Sequence, residues 1–535
     1  MKRVWDNSNI IESYPGIVSP LTFSYAKFAY KKVYSQTAII FGINQKYITE
    51  NDRYLNSMLG YVNGHMYYNI KSWLVLVSYL PGFSANQKNL QEMMGVKEKN
   101  IVAVEKPHVS FWSKIKTIFS FLKYYSLIEY KTEEWIKYFD KEFHRYMKKI
   151  EAVNSADEAL EVFYSAEKTL LDYWYIPILN DFSVMINSTL LKNYLKKNPN
   201  KNYELKDLSI GMVGNSELIV ELRKIVKIIR KKIDINKVSL EYVQDVIKGD
   251  KEIQTSVNRY IFKYGLRNGQ NLKLEDPGLD EGDGSALAQL IMTYLEEYSE
   301  KKEIHNKNKD VQRSFIEKIL VKHYINAVKR REVLRVKRSQ SFSLVRKVFI
   351  TIAEDFVQQG VLKNIDDIFY LEKDEIFGLL EGNYTLKNVQ SLIDERKREH
   401  KVYKSLQVSN HFVTASIPSH SKESINIQES IKEIEEGRVN YQGKITAEVV
   451  LMEKLNFDTD VKGKILVCKY TDPNWVPLFG VIKGLIVERG GVLSHAAIVS
   501  RELKIPSVIG VENAFNVLKN GQKITLDATE GRIIH

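Results

Sequence analysis

The stretch GGVLSHAAIVSREL, from Gly490 to Leu503, places one histidine after a glycine turn and at the start of a short helix. Two adjacent glycines let the backbone turn sharply without a Cβ clash, and serine is a preferred N-terminal cap of helices. Apolar residues then recur at helical spacing until Pro506, which a helix does not easily pass. The pattern predicts a helix of about two to three turns, capped by Ser494 and with His495 in its first turn.

A histidine in the first turn of a helix is well placed to carry a phosphoryl group. Unpaired N–H groups and the partial positive charge at a helix N-terminus stabilise a phosphate dianion by about 0.3–1 kcal/mol. The same field disfavours imidazolium, and a neutral ring nitrogen is the nucleophile that attack on phosphorus requires. A lone histidine is more often a cap or core residue, but the glycine pair, cap and helix together favour a carrier. We therefore interpret His495 as a phosphorylated nucleophile, with Gly490, Gly491 and Ser494 supporting the phosphate.

The surrounding sequence predicts a small β/α domain that begins at about Gly437. Apolar runs typical of strands occupy residues 445–452, 463–467, 484–487 and 523–527, and a second helix is predicted near residues 511–519. Upstream, residues from about 25 to 400 show apolar side chains at helical spacing, for example in runs 72–80, 111–130, 157–172 and 324–359. His65 is predicted to lie on such a helix and to be packed rather than catalytic. A serine-rich segment between the two regions predicts a linker, followed by a short helix over residues 425–436.

Two segments suggest cofactor-binding motifs, but the spacing of their residues does not match those motifs. Gly437 to Ile445 resembles a P-loop, but it has one residue too many between its glycines and isoleucine where Ser or Thr should bind magnesium. The acidic loop from Asp276 to Asp283 misses the calcium-loop pattern and its terminal glutamate. We therefore expect neither a nucleotide nor a metal to be held by these segments.

Composition sets further bounds on function. With 535 residues, 44% hydrophobic and 27% charged, the chain is expected to be a globular protein of two or more domains. No apolar run reaches the roughly 18 residues of a membrane helix, and the N-terminus lacks a signal-peptide pattern. The lone Cys468, in a strand expected to be buried, excludes an intrachain disulfide and favours the cytoplasm. The net charge of +12 is spread over amphipathic helices such as 221–232, so neither nucleic acid nor a membrane is an expected partner.

Three arginines mark a second candidate site. Arg331 and Arg335, at i and i+4, share one face of the predicted helix over residues 324–359, and Arg338 lies nearby. Neighbouring guanidinium groups repel one another without an anion, and fixed arginines stabilise the charge that develops during phosphoryl transfer. The arrangement therefore favours an anion-facing surface, although a solvated basic face is the alternative reading.

Residues 471–510, which include His495, closely resemble the swivelling phosphohistidine domain of phosphoenolpyruvate-utilising enzymes. Pyruvate phosphate dikinase, phosphoenolpyruvate synthase and rifampin phosphotransferase share that domain. The resemblance implies that His495 is the phosphorylated residue. It also implies that this part of the chain is a carrier that moves between separate sites.

The front of the chain is similar to the helical acceptor domain of rifampin-phosphotransferase-like proteins. The similarity is carried by YPGIVSPLTFS at residues 14–24, YVNGHMYYN at 61–69, YGLR with LKLE at 264–275, and GVL with DIFYL at 360–371. In that family an Arg-Glu-x-x-Lys element faces the phosphate of the acceptor site. Arg331 matches its arginine, and Arg335 stands in place of the lysine, which keeps the charge but changes its geometry.

Together these resemblances imply an α+β multidomain chain. A large, mainly helical acceptor domain is expected over residues 1–404, a linker or hinge over 405–436, and a small β/α swivelling phosphohistidine domain over 437–535. The family's ATP-grasp region has no room before the acceptor-like sequence, which starts at residue 1. The chain ends 40 residues after His495, so a pyruvate-binding (β/α)₈ barrel is not expected either.

The expected function is that of a phosphotransferase component. A separate ATP-grasp partner, which binds ATP and Mg²⁺, would phosphorylate His495, and the carrier would pass the phosphoryl group to a hydroxyl of a small-molecule acceptor. AMP and phosphate would be the other products. The competing reading is a non-catalytic phosphocarrier or a small-molecule-binding regulatory protein, and a remnant of a truncated gene is a third, against which the intact motifs argue.

Overall fold

A computed structural model describes most of the 535-residue chain. The chain forms two compact units. The first comprises residues 1–182, 271–276 and 337–429, and the second comprises residues 183–270, 277–336 and 430–535. The described residues are 3–7, 9–79, 110–198, 215–233, 239–261, 272–278, 285–297, 314–383, 388–406, 408–415, 417–418, 437–453, 455–456, 459–471, 475–489, 494–511 and 513–534.

The first unit contains a four-stranded antiparallel sheet. Its strands are β1 (Arg3–Asp6), β2 (Leu59–Val62), β3 (His65–Asn69) and β4 (His411–Thr414), in the order β2-β3-β1-β4. β3 and β4 lie where the sequence predicts no strand. β4 lies within residues 405–436, where the sequence predicts a linker, and the hinge role of that segment stays a prediction. Residues 419–436, including the predicted helix from 425, lie outside the described part of the chain.

A tight hairpin explains the strand at His65. Asn63 and Gly64 connect β2 to β3, and both have positive φ angles, of 49° and 77°. An Asn-Gly pair with this conformation is the preferred two-residue turn between antiparallel strands, because its twist matches that of the strands. The sequence-based placement of His65 on a helix is therefore wrong, since the turn residues outweigh the apolar spacing around it.

Helices make up most of the first unit. α1 (Pro20–Ile40) begins at a proline and is capped by Ser19, whose Oγ accepts the Thr22 N–H at 3.2 Å. The Glu275 carboxylate accepts the Ser19 hydroxyl at 2.7 Å and fixes this helix start. The other helices are α2 (Gln45–Glu50), α3 (Asp52–Leu55), α4 (Ile70–Val77), α5 (Phe111–Ser126), α6 (Ile128–Glu151), α7 (Ala156–Ala166), and, near the end of the unit, Lys373–Leu380 and Val389–Ser405.

Two long helices contribute residues to both units, and four of the helices that lie between them along the chain belong to the second unit. The shared helices are α8 (Tyr175–Lys197) and, later, Phe315–Gln358. The four others are α9 (Asn215–Arg230), α10 (Leu240–Gly249), α11 (Lys251–Tyr260) and α12 (Ser285–Glu297). We number Phe315–Gln358 as α13, Lys373–Leu380 as α14 and Val389–Ser405 as α15. The helical segments predicted at residues 72–80, 111–130, 157–172 and 324–359 are confirmed, with shifted ends.

A seven-stranded sheet is built entirely from the carboxy-terminal residues of the second unit. Its strands follow the order β11-β10-β6-β7-β8-β9-β5, and the central four are parallel. They are β5 (Arg438–Tyr441), β6 (Lys444–Leu451), β7 (Ile465–Cys468), β8 (Gly484–Val487), β9 (Ser507–Ile509), β10 (Lys523–Asp527) and β11 (Arg532–Ile534). The helices here are α16 (Val476–Phe479), α17 (His495–Glu502) and α18 (Ala514–Val517).

Both faces of this sheet are covered, which is why its central strands are apolar throughout. In β7 the side chains of Ile465 and Val467 belong to a core with α18, whereas Leu466 and Cys468 belong to a core with α16 and α17. The predicted burial of Cys468 is confirmed. The second core also contains apolar residues of α9 to α12.

α12 packs closely against α16, so a helix from the middle of the chain contacts the carrier sequence. Tyr294 donates its hydroxyl to the Pro477 carbonyl at 2.7 Å. A Cβ at Gly480 would lie 2.3 Å from the same hydroxyl, so no larger residue fits there. Helices that the sequence assigns to the acceptor domain thus share a core with the carrier sequence, and the predicted boundaries at residues 404 and 437 stay predictions.

The observed fold is α+β, with a mainly helical front and a β/α region at the carboxyl end, as the sequence predicts in outline. Within the described ranges, no helix combines the length and apolar character needed to cross a bilayer.

Candidate active site at the start of helix α17

Helix α17 begins where the sequence predicts. β8 is buried along its whole length, and α17 starts at His495 a few residues beyond the carboxyl end of that strand. Ser494 has extended backbone angles, and its Oγ accepts the Ala497 N–H at 3.3 Å, so its predicted capping role is confirmed. The backbone of His495 therefore occupies the first helical position. Gly490 and Gly491, and the side chain of His495, lie outside the described part of the chain.

A buried polar network holds α17 against the sheet. The Asn440 side-chain amide, on β5, donates to the Ala497 carbonyl at 3.1 Å and to the hydroxyls of Ser500 and Ser507 at 2.8 Å each. Ser500 in turn donates to the Ala496 carbonyl at 2.6 Å. Three elements, β5, β9 and α17, are thereby joined, and the start of α17 is fixed in relation to the sheet.

Replacement of Asn440 by alanine should loosen α17. The change removes a side chain that links these three elements by hydrogen bonds and leaves buried hydroxyls short of a donor, which should cost about 2 kcal/mol. Hydrogen exchange of the α17 amides should show a fall of that size in the free energy of opening. The exposed Asn516, on α18, supplies the matched control, and its alanine variant should exchange as the unaltered chain does. Unchanged protection in Asn440→Ala would contradict the anchoring role.

An arginine of α17 is buried beside this network. Arg501 is 1% exposed, and its Nε donates to the Ala497 carbonyl at 2.7 Å. Its positive charge acts on the phenol of Tyr324 on α13, a residue that is 2% exposed. Burial raises the pKa of the Tyr324 phenol, and the positive charges of Arg501 and Arg331 act in the opposite direction. Tyr324 thus lies within electrostatic range of both guanidinium groups.

The three predicted arginines lie along one continuous helix, α13. Arg331 and Arg335 belong to the second unit, and Arg338 belongs to the first. Arg335 is half-buried, and its Nη1 donates to the Glu332 carboxylate at 3.3 Å, which balances part of its charge. Arg338 donates from Nη2 to the Ser13 hydroxyl at 3.2 Å. Arg331 is associated with the surroundings of α17 through Tyr324, and the anion-binding role of all three stays a prediction.

Two residues of this region, one on α17 and one on α13, received no role in the sequence analysis. Tyr324 and Arg501 are far apart in the chain. Arg501 lies within the stretch from Gly490 to Leu503 but was given no role there, and Tyr324 precedes the arginine run. The helical periodicity of the sequence could have placed Tyr324 on the same helix face as Arg331, about two turns earlier, because seven residues span about two turns. The described residues contain no group of three or more His, Cys, Asp or Glu side chains positioned to hold a metal ion.

Comparison with known proteins gives a family match around the same helix. The family described as "PEP-utilising enzyme, mobile domain" matches residues 460–531, a range that contains β7 to β10 and α17. His495 lies in the middle of that match.

Curated relatives extend the similarity beyond that domain. A rifampicin phosphotransferase of Bacillus cereus is 26% identical over 319 residues, which cover 54% of this chain and 35% of the relative. A rifampicin phosphotransferase of Bacillus subtilis is 31% identical over 204 residues, 36% of this chain and 22% of the relative. A probable phosphoenolpyruvate synthase of Staphylothermus marinus is 49% identical over 70 residues, 13% of this chain and 8% of the relative. The matches therefore span about a third or less of each relative's length.

Proposed function

Since residues 460–531 make this chain a member of the phosphoenolpyruvate-utilising enzymes, we propose that it carries a phosphoryl group on His495 to a small-molecule acceptor. The observation that supports this role most directly is the position of His495 as the first residue of α17, after the Ser494 cap. A helix N-terminus favours the phosphate dianion and a neutral imidazole, so one location suits both formation and storage of phosphohistidine.

In the first step, an imidazole nitrogen of His495 attacks a phosphorus atom of ATP, which is bound by a separate ATP-grasp partner together with Mg²⁺. A phosphorus–nitrogen bond forms as a phosphoanhydride bond breaks. The metal lowers the charge repulsion between the phosphates when it is bound there. Water takes up the remaining phosphoryl group, so ATP and water yield phosphohistidine, AMP and inorganic phosphate.

In the second step, a hydroxyl oxygen of the acceptor attacks the phosphohistidine. The phosphorus–nitrogen bond breaks, a phosphorus–oxygen bond forms, and the hydroxyl proton is left for the imidazole. Charge spreads over the phosphoryl oxygens in the transition state, where a fixed guanidinium is most stabilising. We assign this role to Arg331, because Tyr324 lies near both Arg331 and the Arg501 of α17. Arg335 is assigned a supporting role, since Glu332 balances part of its charge.

The cytoplasm is the proposed location, because the lone Cys468 suits a reducing compartment. The acceptor is proposed to be a small molecule with a free hydroxyl. Rifampicin appears in the names of several relatives, and their names do not select the acceptor of this chain.

Reconstitution with labelled ATP tests the proposal. The chain is incubated with [β-³²P]ATP and Mg²⁺, alone and with a candidate ATP-grasp protein. Alkali-stable, acid-labile label should appear on this chain only when the partner is present. Label on the chain alone would contradict the two-protein scheme, whereas absence of label in both mixtures would contradict the carrier role. Stable label with no transfer to any hydroxyl compound would favour the non-catalytic phosphocarrier.

A further inference from the structure

Arg338, on α13 in the first unit, carries a positive charge that no carboxylate balances among the described residues. Its Nη2 has one neutral partner, the Ser13 hydroxyl, at 3.2 Å. Its Nε is buried and has no hydrogen-bond partner. A shielded guanidinium without a counter-ion is costly, because the charge has lost water and gained little in return. The part of the chain that the structure describes therefore offers no anionic acceptor at this point.

Three tyrosine hydroxyls lie within electrostatic range of this guanidinium. Tyr14 is 1% exposed, and its hydroxyl has no hydrogen-bond partner. Burial raises the pKa of Tyr14, Tyr34 and Tyr68, and the charge of Arg338 acts on all three in the opposite direction. The phenols thus stay protonated at neutral pH. They are neutral groups that can donate, so none of them replaces the missing anion.

Aromatic rings form the walls around these hydroxyls. The Trp73 ring meets the Tyr34 ring edge to face at 4.5 Å between centroids, and the Tyr68 ring at 5.4 Å. The hydroxyls of Tyr30 and Tyr68 are 3.4 Å apart. The Nε1 of Trp73 is buried and, like the Tyr14 hydroxyl, has no partner. The side chains of Tyr30, Tyr34, Tyr68 and Trp73 are each half-buried, so the cluster continues from buried Tyr14 to the protein surface.

We infer that this cluster is a binding site for a small organic anion, whose carboxylate or phosphate pairs with the Arg338 guanidinium. The unpartnered groups are a guanidinium N–H, an indole N–H and a phenol, all of which can donate to anionic oxygens. The planar guanidinium fork matches both carboxylate and phosphate. The body of the ligand lies against aromatic rings, which favour a flat or apolar group. The residues of the site are Arg338, Tyr14, Tyr30, Tyr34, Tyr68 and Trp73.

This inference rests on contacts within the first unit and needs neither His495 nor a partner protein. Failure of the phosphoryl-transfer scheme would leave it standing, and the reverse also holds. The site could receive an acceptor molecule by its anionic group, or a regulatory anion, and the binding chemistry is the same in both cases.

Binding of two simple anions to the full chain tests the site. Benzoate and phenyl phosphate are titrated by calorimetry, with benzamide as the uncharged match. At least one anion should bind in a saturable manner and raise the melting temperature, and benzamide should do neither. Comparison of the two anions distinguishes a carboxylate site from a phosphate site. Loss of the charge in Arg338→Gln should weaken binding at least about tenfold. Arg398→Gln is the matched control, because that exposed arginine of α15 pairs with Glu395 alone.

A second variant provides an independent test in case Arg338→Gln does not fold. Tyr14→Phe removes a hydroxyl that has no partner in the free chain, so the melting temperature without ligand should not fall. The same variant should bind the anion more weakly. The inference is overturned if neither anion binds, if both bind Arg338→Gln as well as the unaltered chain, or if Tyr14→Phe destabilises the free chain as loss of a buried hydrogen bond would.

Discussion

Replacement of His495 by alanine should abolish phosphoryl transfer through this chain and leave its fold unchanged. The imidazole is the proposed nucleophile, and loss of a covalent nucleophile reduces turnover on the order of 10⁴-fold or more. Alanine is the best helix former, and the Ser494 cap on the Ala497 N–H does not involve the imidazole, so α17 should persist. Incorporation of label from [β-³²P]ATP and formation of phosphorylated product, both with the partner present, measure the effect.

His323 supplies the matched control for this experiment. It is an exposed histidine of α13, and His323→Ala should retain full labelling and transfer. Circular dichroism of both variants should equal that of the unaltered chain, which separates lost chemistry from lost structure. Retained transfer in His495→Ala would mean that another residue carries the phosphoryl group.

Replacement of Arg331 by alanine should impair the second step and spare the first. Removal of one group that stabilises developing charge typically reduces turnover by about 10²–10³-fold. Phosphohistidine should still form, because the partner supplies the groups that act on ATP, and it should then accumulate. Single-turnover transfer from isolated phosphorylated chain to the acceptor measures the second step directly. Before that acceptor is known, a survey of hydroxyl compounds against the phosphorylated chain supplies the assay.

Two control variants define what Arg331 contributes. Lys329, an exposed residue two positions earlier on α13, should be replaceable by alanine without loss of transfer. Arg331→Lys keeps the charge but loses the fork, so intermediate activity would indicate that geometry as well as charge matters. Equal losses in Lys329→Ala and Arg331→Ala would instead indicate a general effect of positive charge on the approach of the substrate.

Local patterns carried most of what the sequence predicts correctly. The cap and helix at Ser494 and His495 depend on a few neighbouring residues, and the structure has them as predicted. The buried strands β7 and β8 follow from short apolar runs in the same way. His65 was misplaced although its signal is equally local, because the Asn63-Gly64 turn was not weighed against the apolar spacing around it.

Contacts between distant residues could not be predicted from one sequence. Asn440 joins Ser500 and Ser507 across about sixty residues, and nothing near Asn440 in the chain indicates these partners. The shared core of α9 to α12 and the carrier sequence is likewise a tertiary feature, since apolar periodicity shows that a helix has a buried face but not what covers it. The contact between Arg338 and Ser13 has the same origin, because helix periodicity places residues along a helix but does not show what each side chain contacts.

Peptide mapping by mass spectrometry tests the central claim most directly. The chain is isolated under alkaline conditions from cells, or from the reconstituted mixture with the partner and ATP, and digested without exposure to acid. The account predicts one phosphoryl group on the peptide that contains α17, assigned by fragmentation to His495 and absent from His495→Ala. A phosphoryl group on any other residue, or an unmodified α17 peptide while transfer proceeds, would contradict it.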